Sequence, residues 1–157
     1  QELDYAIEKN YKNKCPKYYR LSEYENKKSY ITQNNMAFVI KNGKRATIVC
    51  IGTMLDRVLE ACADLDVTII YYNTLNPFDE KSLLENYNDK IIVCEPFFEG
   101  TMNHKITACL VNKQYTIFNI GVPRKYITHF GNQSEQNEHL NLDTINIRKK
   151  IQSWLKL

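Results

Sequence analysis

The chain has 157 residues, 25% of them charged and 43% hydrophobic, with a formal net charge of +3. That length and balance suit one domain with a true core and an ordinary globular composition. The short basic runs at 27–28 and 148–150 read as solvated faces rather than a nucleic-acid surface, and no apolar run reaches the roughly 18 residues of a membrane span.

The five cysteines, Cys15, Cys50, Cys62, Cys94 and Cys109, are odd in number and widely spaced. There is no CxxC pair, so neither a zinc knuckle nor a thioredoxin-type site is indicated. Cys50 and Cys94 end apolar runs, while Cys62 and Cys109 lie on helix-like stretches. These four read as buried reduced thiols, which points to a reducing, cytoplasmic compartment. Cys15 has polar neighbours, and the chain opens on Gln1 rather than Met, so residue 1 is not expected to be the native start.

Leu3, Ala6 and Ile7 recur at helical spacing and predict a helix over 2–11. Pro16 stops it, 17–21 reads as a strand, and the polar, aperiodic stretch 22–35 reads as a linker. A compact domain begins near Met36. Residues 37–40 predict a short strand, Asn42 and Gly43 a two-residue hairpin, and 46–51 the next strand, antiparallel to the first. Gly52 then turns the chain into a helix over 53–65, capped by Thr53, with Met54, Leu55, Val58, Leu59, Cys62 and Leu65 on its apolar face. The β-branched and aromatic run 67–72 predicts a buried strand. Pro77 breaks the chain, and Asp79 caps a helix carrying Leu83 and Leu84. Residues 90–94 form a strand, Thr101 caps a helix to about 111, 115–120 is a strand, and 122–137 is irregular or partly helical. Asp143 caps a last helix with Ile147, Ile151, Trp154 and Leu155 on one face. This alternation predicts a three-layer α/β/α sandwich around a mostly parallel sheet of about five strands, one of them antiparallel.

Four stretches, in order, carry a family likeness: NKCPKYYRLS (13–22), ATIVCIGTMLDRVLEACADLDVTIIYYNTLNPFDEKSL (46–83), KIIVCEPFFEGTMNHKI (90–106) and GVPRKYITHFGNQSEQNEHLNLDTINIRKKI (121–151). Together they resemble the C-terminal domain of the transketolase family of thiamine-diphosphate enzymes, with Cys15 where the family commonly has Gly before the Pro. The resemblance implies that 1–30 are the tail end of a truncated pyrimidine-binding domain plus linker, and that 31–157 are a transketolase C-terminal-like domain. The family's diphosphate- and magnesium-binding motif and its activating Glu belong to regions outside this sequence. The resemblance therefore implies that no cofactor is bound by this chain alone, thiamine diphosphate and Mg2+ belonging to the parent enzyme. The implied partners are the upstream catalytic domains or subunit, in a homodimer of the parent. The implied reaction is transfer of a two-carbon ketol unit to an aldehyde, with this chain serving assembly and the rim of the substrate site. A β-subunit domain of a 2-oxoacid dehydrogenase and a deoxyxylulose-phosphate synthase are close relatives with the same domain. A non-catalytic interaction or oligomerisation module also stays open. A small flavodoxin-like nucleotide binder would need a phosphate loop, and the single Gly of IGTM (51–54) does not supply one.

Departures from the family pattern single out further residues. Glu23 stands just after Arg-Leu-Ser, where several members carry a phosphate-holding Arg, and Asn73 stands where many carry another. A carboxylate repels phosphate and Asn adds no positive charge, so the resemblance implies a parent that does not grip a phosphorylated acceptor in the usual way, with Arg20 the nearest substitute. His104, His129 and His139 lack metal-ligand spacing, and no Ser-His-Asp set with an elbow motif exists, so no catalytic or metal residue is named. The substrate-rim candidates are Arg20, Glu23, Asn73 and His129. Glu95 ends a strand, where open α/β sheets place ligands, and reads either as a site or interface carboxylate or as a partner for the amides near 100–103. Phe97 and Phe98 form an apolar loop that reads as interface or internal packing.

Overall fold

The computed structural model describes residues 1–12, 14, 16, 18, 19, 24–31 and 36–157. The elements run α1 (Glu2–Asn10), β1 (Phe38–Lys41), β2 (Thr47–Ile51), a 3-10 turn (Gly52–Met54), α2 (Leu55–Ala61), β3 (Thr68–Tyr72), α3 (Glu80–Asn86), β4 (Lys90–Phe98), α4 (Asn103–Cys109), β5 (Thr116–Val122), α5 (Gln133–His139) and α6 (Thr144–Leu155). The sheet order is β1-β3-β2-β4-β5, with β1 antiparallel to β3 and the other pairings parallel.

β2 and β3 are buried at every position, as strands covered on both faces must be. The alternation of side chains then sorts two cores. Ile48, Cys50, Ile69, Tyr71, Ile92 and Cys94 pack with Leu55 and Val58 of α2 and Ile147 and Ile151 of α6. Val49, Ile51, Ile70, Tyr72, Ile91 and Val93 pack with Leu83 of α3 and Ile106 of α4. Each fully buried Ile or Val contributes about 1.5–3 kcal/mol, so these two faces hold the sandwich together. The three layers, five strands and one antiparallel member are those predicted from the sequence.

The predicted hairpin is corrected. β1 runs antiparallel but pairs with β3, through Phe38↔Tyr71 and Val39↔Ile70, and β2 lies on the other side of β3. The turn at Asn42 and Gly43 is spent on crossing the start of β3. Gly43 N donates to Thr68 Oγ1 at 3.0 Å, Thr68 Oγ1 donates to Gly43 O at 2.7 Å, and Arg45 N donates to Asp66 O at 3.0 Å. Gly43 is needed for this approach because a Cβ there would lie 2.3–2.5 Å from backbone atoms of Asp66 and Val67.

Two predicted caps are also corrected. Thr53 makes no side-chain cap, because the 3-10 turn already serves the Leu55 amide with Gly52 O, and α2 begins at Leu55. Thr101 turns its hydroxyl back to Phe98 O, and α4 begins at Asn103 without a side-chain cap from its N-cap residue. The helix predicted over 53–65 ends as α2 at Ala61, where Lys41 Nζ donates to Cys62 O (2.7 Å) and Ala63 O (3.0 Å), and Arg148 Nη1 to Ala61 O (3.0 Å). Cations there complement the negative helix end. Asp79 and Asp143 do cap α3 and α6, and α5 starts in a capping box of Asn132 and Glu135 inside the stretch read as irregular or partly helical. β4 runs on to Phe98, beyond its predicted end. Cys50, Cys62 and Cys94 are buried free thiols, but Cys109, expected to be buried, is only partly so. Cys15 lies outside the described residues, and so does most of the strand expected over 17–21.

Two expected outcomes follow from these local contacts. Gly43→Ala should lower stability by about 1–3 kcal/mol, because the added methyl meets rigid backbone. Urea unfolding should show a lower midpoint at unchanged slope. Asp79 accepts from Ser82 N (3.1 Å), Ser82 Oγ (2.6 Å) and Ala37 N (2.8 Å). Burial raises its carboxyl pKa, but the bonds from the Ser82 hydroxyl and the Ala37 and Ser82 amides outweigh burial, so the pKa lies below the ordinary value. Asp79→Ala should therefore cost about 1 kcal/mol at pH 7. That difference is fully present above the unfolded value of about 3.9 and shrinks as pH falls through the lower folded value. A wild-type-minus-variant difference that stays flat between pH 7 and pH 2 would contradict the assignment.

Candidate functional site

From β2 the chain steps to β3 on one side and later to β4 on the other, so the carboxyl ends of β2 and β4 form the switch-point crevice where such sheets bind ligands. Gly52, at φ +53, turns the chain away there, and a Cβ on it would lie 3.8 Å from the Pro96 ring. Pro96 and the turn after it thus occupy the mouth of this crevice.

Glu95 is fully buried at that point. Its Oε1 accepts a short hydrogen bond from Gly100 N, and its Oε2 accepts from Met102 N at 3.1 Å. Burial raises its carboxyl pKa, partly offset by the Met102 and Gly100 amides. Glu95 therefore fastens the turn between β4 and α4. Close by, the side-chain oxygens of Asn103 and Asn119 are buried without a hydrogen-bond donor among the described residues.

Beside the crevice, over β2 and β3, lies a cleft of about 580 Å³ walled by α1 and the 24–31 segment and floored by Gly52, Thr53, Tyr71 and Asn73. Asn73 donates from Nδ2 to Glu2 Oε2 (3.2 Å) and to Tyr30 O (2.9 Å). Tyr71 donates to Glu2 Oε2 (3.2 Å) and accepts from Asn26 Nδ2 (3.1 Å), which also donates to Gly52 O (3.2 Å). Of the rim candidates, Asn73 therefore joins this network, whereas Arg20 and Glu23 lie outside the described residues.

His129 stands elsewhere. Its ring stacks on His139 at 4.4 Å, in a surface cleft of about 460 Å³ shared with Phe130, Glu135 and Glu138. Its carbonyl accepts from Gln136 Nε2 at 2.6 Å. Of the loop aromatics, Phe97 packs against the α3/α4 core, while Phe98 is 51% exposed. Tyr126 and Phe130, at 90% and 93% exposure, were not singled out in the sequence. They sit in a stretch without periodicity, where nothing marks a side chain as outward-facing.

A diphosphate and its magnesium need convergent donors and open oxygen ligands. Among the described residues no group of three or more His, Cys, Asp or Glu side chains is placed to hold a metal ion. The carboxylates at the carboxyl edge, Glu2, Asp79 and Glu95, are engaged by donors of their own chain. The described residues therefore do not fit the diphosphate–magnesium group. Also among them, no helix is long and apolar enough to cross a membrane.

Glu95→Ala leaves the Gly100 and Met102 amides without acceptors and should cost about 1–3 kcal/mol in urea unfolding. Glu95→Gln keeps one acceptor oxygen and should cost less. An Ala variant as stable as the wild type would show that the turn does not rely on this side chain.

Comparison with known proteins agrees with this geometry. The family model of the transketolase C-terminal domain matches residues 36–147. The chain is 31% identical over 143 residues to an uncharacterized 33.6 kDa protein in the fasciation locus of Rhodococcoides fascians, covering 88% of this chain and 46% of that one. It is 28% identical over 120 residues to the 1-deoxy-D-xylulose-5-phosphate synthase of Yersinia pestis (strain Pestoides F), covering 73% and 19%. A split-gene transketolase, solved as an inactive β4 tetramer, superposes with a TM-score of 0.69 at 20% identity, over 82% of this chain and 45% of that one. The transketolase of Campylobacter jejuni gives a TM-score of 0.55 at 15% identity, over 82% and 20%. At such identities the two structures establish the fold alone. The chain spans less than half the length of these relatives. With the family match covering most of the sequence, the chain belongs to the transketolase C-terminal domain family.

Proposed function

We propose that this chain is the C-terminal, assembly-forming part of a thiamine-diphosphate-dependent transferase of the transketolase type, which moves a two-carbon ketol unit onto an aldehyde. The observation that carries the reading is the family match over 36–147 together with coverage of only 46% and 45% of the first relatives in sequence and structure. Such fractions suit one domain of a half-length, split-enzyme chain. The rest of the enzyme would hold thiamine diphosphate, which when bound would supply the electron sink for the reaction. This chain walls the substrate entrance, with Asn73 at the rim on the α1 side, Arg20 and Glu23 as further rim residues, and His129 on a separate surface cleft. It takes part in assembly through the exposed Phe98 at the end of β4, beside the core-packed Phe97 and the turn that the buried Glu95 fastens. The parent is a cytoplasmic homodimer in this reading, and the buried free thiols Cys50, Cys62 and Cys94 suit a reducing compartment.

One observation favours a second reading, a pure oligomerisation module. Phe98, Tyr126 and Phe130 are large exposed aromatics of the kind that anchor interfaces. The split-gene relative is itself an inactive β4 tetramer.

Co-expression with the upstream thiamine-binding subunit or region from the same source separates the two. The expected result is a stable complex whose ketol transfer needs both parts, thiamine diphosphate and Mg2+, while the chain alone gives no turnover. Replacing the exposed Phe98 by Ser should weaken the complex at least about tenfold without unfolding the chain. Turnover by the chain alone would overturn the proposal, and self-association with no activity in any combination would favour the second reading.

A further inference from the structure

None of the residues of α1 is buried, and Ile7, its exposed large apolar side chain, is 40% accessible. Among the described residues, α1 is fastened to the rest of the chain at Glu2. Its Oε1 accepts from Tyr30 N at 2.6 Å, and its Oε2 accepts from Tyr71 Oη and Asn73 Nδ2, both at 3.2 Å. Three donors from three separate places, the 24–31 segment, the end of β3 and the turn after it, converge on one carboxylate. Charge-assisted bonds of this type are about twice as strong as neutral ones. Among the described residues, Tyr19 Oη also donates to Ala6 O, an exposed bond 3.3 Å long.

The 24–31 segment has its own attachments. Asn26 reaches Gly52 O, Lys27 N donates to Asp56 Oδ2 at 2.7 Å, and the Tyr30 ring lies 5.2 Å from Phe38 and 5.5 Å from Tyr71. Burial first, then the Glu2 carboxylate, pushes the Tyr71 hydroxyl above its ordinary pKa, which keeps it a donor to that carboxylate.

The geometry points to a latch: α1 is a strap fastened by the Glu2 carboxylate across the carboxyl ends of β2 and β3, and unfastening it opens the 580 Å³ cleft while the sheet stays folded. Closed, the strap engages Tyr71 Oη and the Asn73 amide. Open, it presents those groups at the edge where sheets of this kind bind. The low-stability end of a protein supplies such moving parts, and a short helix without buried residues belongs there.

Hydrogen exchange by mass spectrometry on the full chain tests the latch. Glu2→Ala should speed exchange of the amides of 2–10 at least tenfold and that of 27–31 in the same direction, and should leave the amides of β2 and β4 unchanged. Glu8→Ala removes the same charge from the exposed side of the same helix and should change neither. Asn73→Asp leaves Glu2 in place but sets a second carboxylate against it, so it should open the strap from the other side. Trypsin should cut after Lys27 and Lys28 faster in both latch variants. Four results would overturn the inference. They are α1 amides that exchange at unfolded rates in the wild type, Glu2→Ala within twofold of it, Glu8→Ala acting like Glu2→Ala, or faster exchange in β2 and β4.

Discussion

The structure depends on one constraint: β2 is bonded on both sides and buried on both faces, so every polar group at its ends must find a partner inside the chain. At its start, the Thr47 hydroxyl donates to Asn86 O (2.8 Å) and accepts from Asn88 N (2.8 Å) and Asn88 Nδ2 (3.0 Å). At its end, the Gly52 carbonyl takes a bond from Asn26. A buried donor or acceptor left alone there costs about 1–3 kcal/mol, a large part of a domain's net stability. Loops that look far from the sheet are therefore bound to its two edges.

The same need explains why the carboxyl edge looks closed rather than catalytic. A sheet of this topology offers its switch point for a ligand, yet here Pro96 and the Glu95-fastened turn fill one side and the Glu2 network covers the other. Both carboxylates are occupied in holding the chain's own segments. Among the described residues, Phe98, Tyr126 and Phe130 are large aromatics turned outward. Exposed aromatics of this kind are what the proposed assembly role would use.

The sandwich was legible because its signals are local and repeated. The apolar runs at 46–51, 67–72 and 90–94 read as strands, the middle one as buried, and Asp79 and Asp143 read as helix caps, as the structure has them. The pairing of β1 was not legible. Asn42 and Gly43 carry the sequence of a tight hairpin, and what redirects them, the Thr68 hydroxyl and the backbone at Asp66 and Val67, lies more than twenty residues away. The caps failed for a similar reason: Thr101 has the right residue type, but Glu95 reaches the Met102 amide from the neighbouring strand. Of the two readings of Glu95, the structure shows the partner of the amides near 100–103, while Asn73, singled out for its departure from a family Arg, is placed at the α1 cleft, its role there a proposal. The part played by Glu2 was missed, since an acidic residue in a first helical turn reads as a solvated partner of the helix end. Tyr71 carried the one usable signal, a buried phenol that must find a partner for its hydroxyl.

The central claim is that this domain does its work as part of a larger thiamine-diphosphate enzyme. The most direct measurement is native mass spectrometry of the gene product taken from its source, with every co-purifying chain identified. The account predicts a species well above the mass of this chain, in which the domain is joined to a thiamine-binding region either in one polypeptide or in a stable complex. A product of this chain's own mass, free of any such partner, would contradict it.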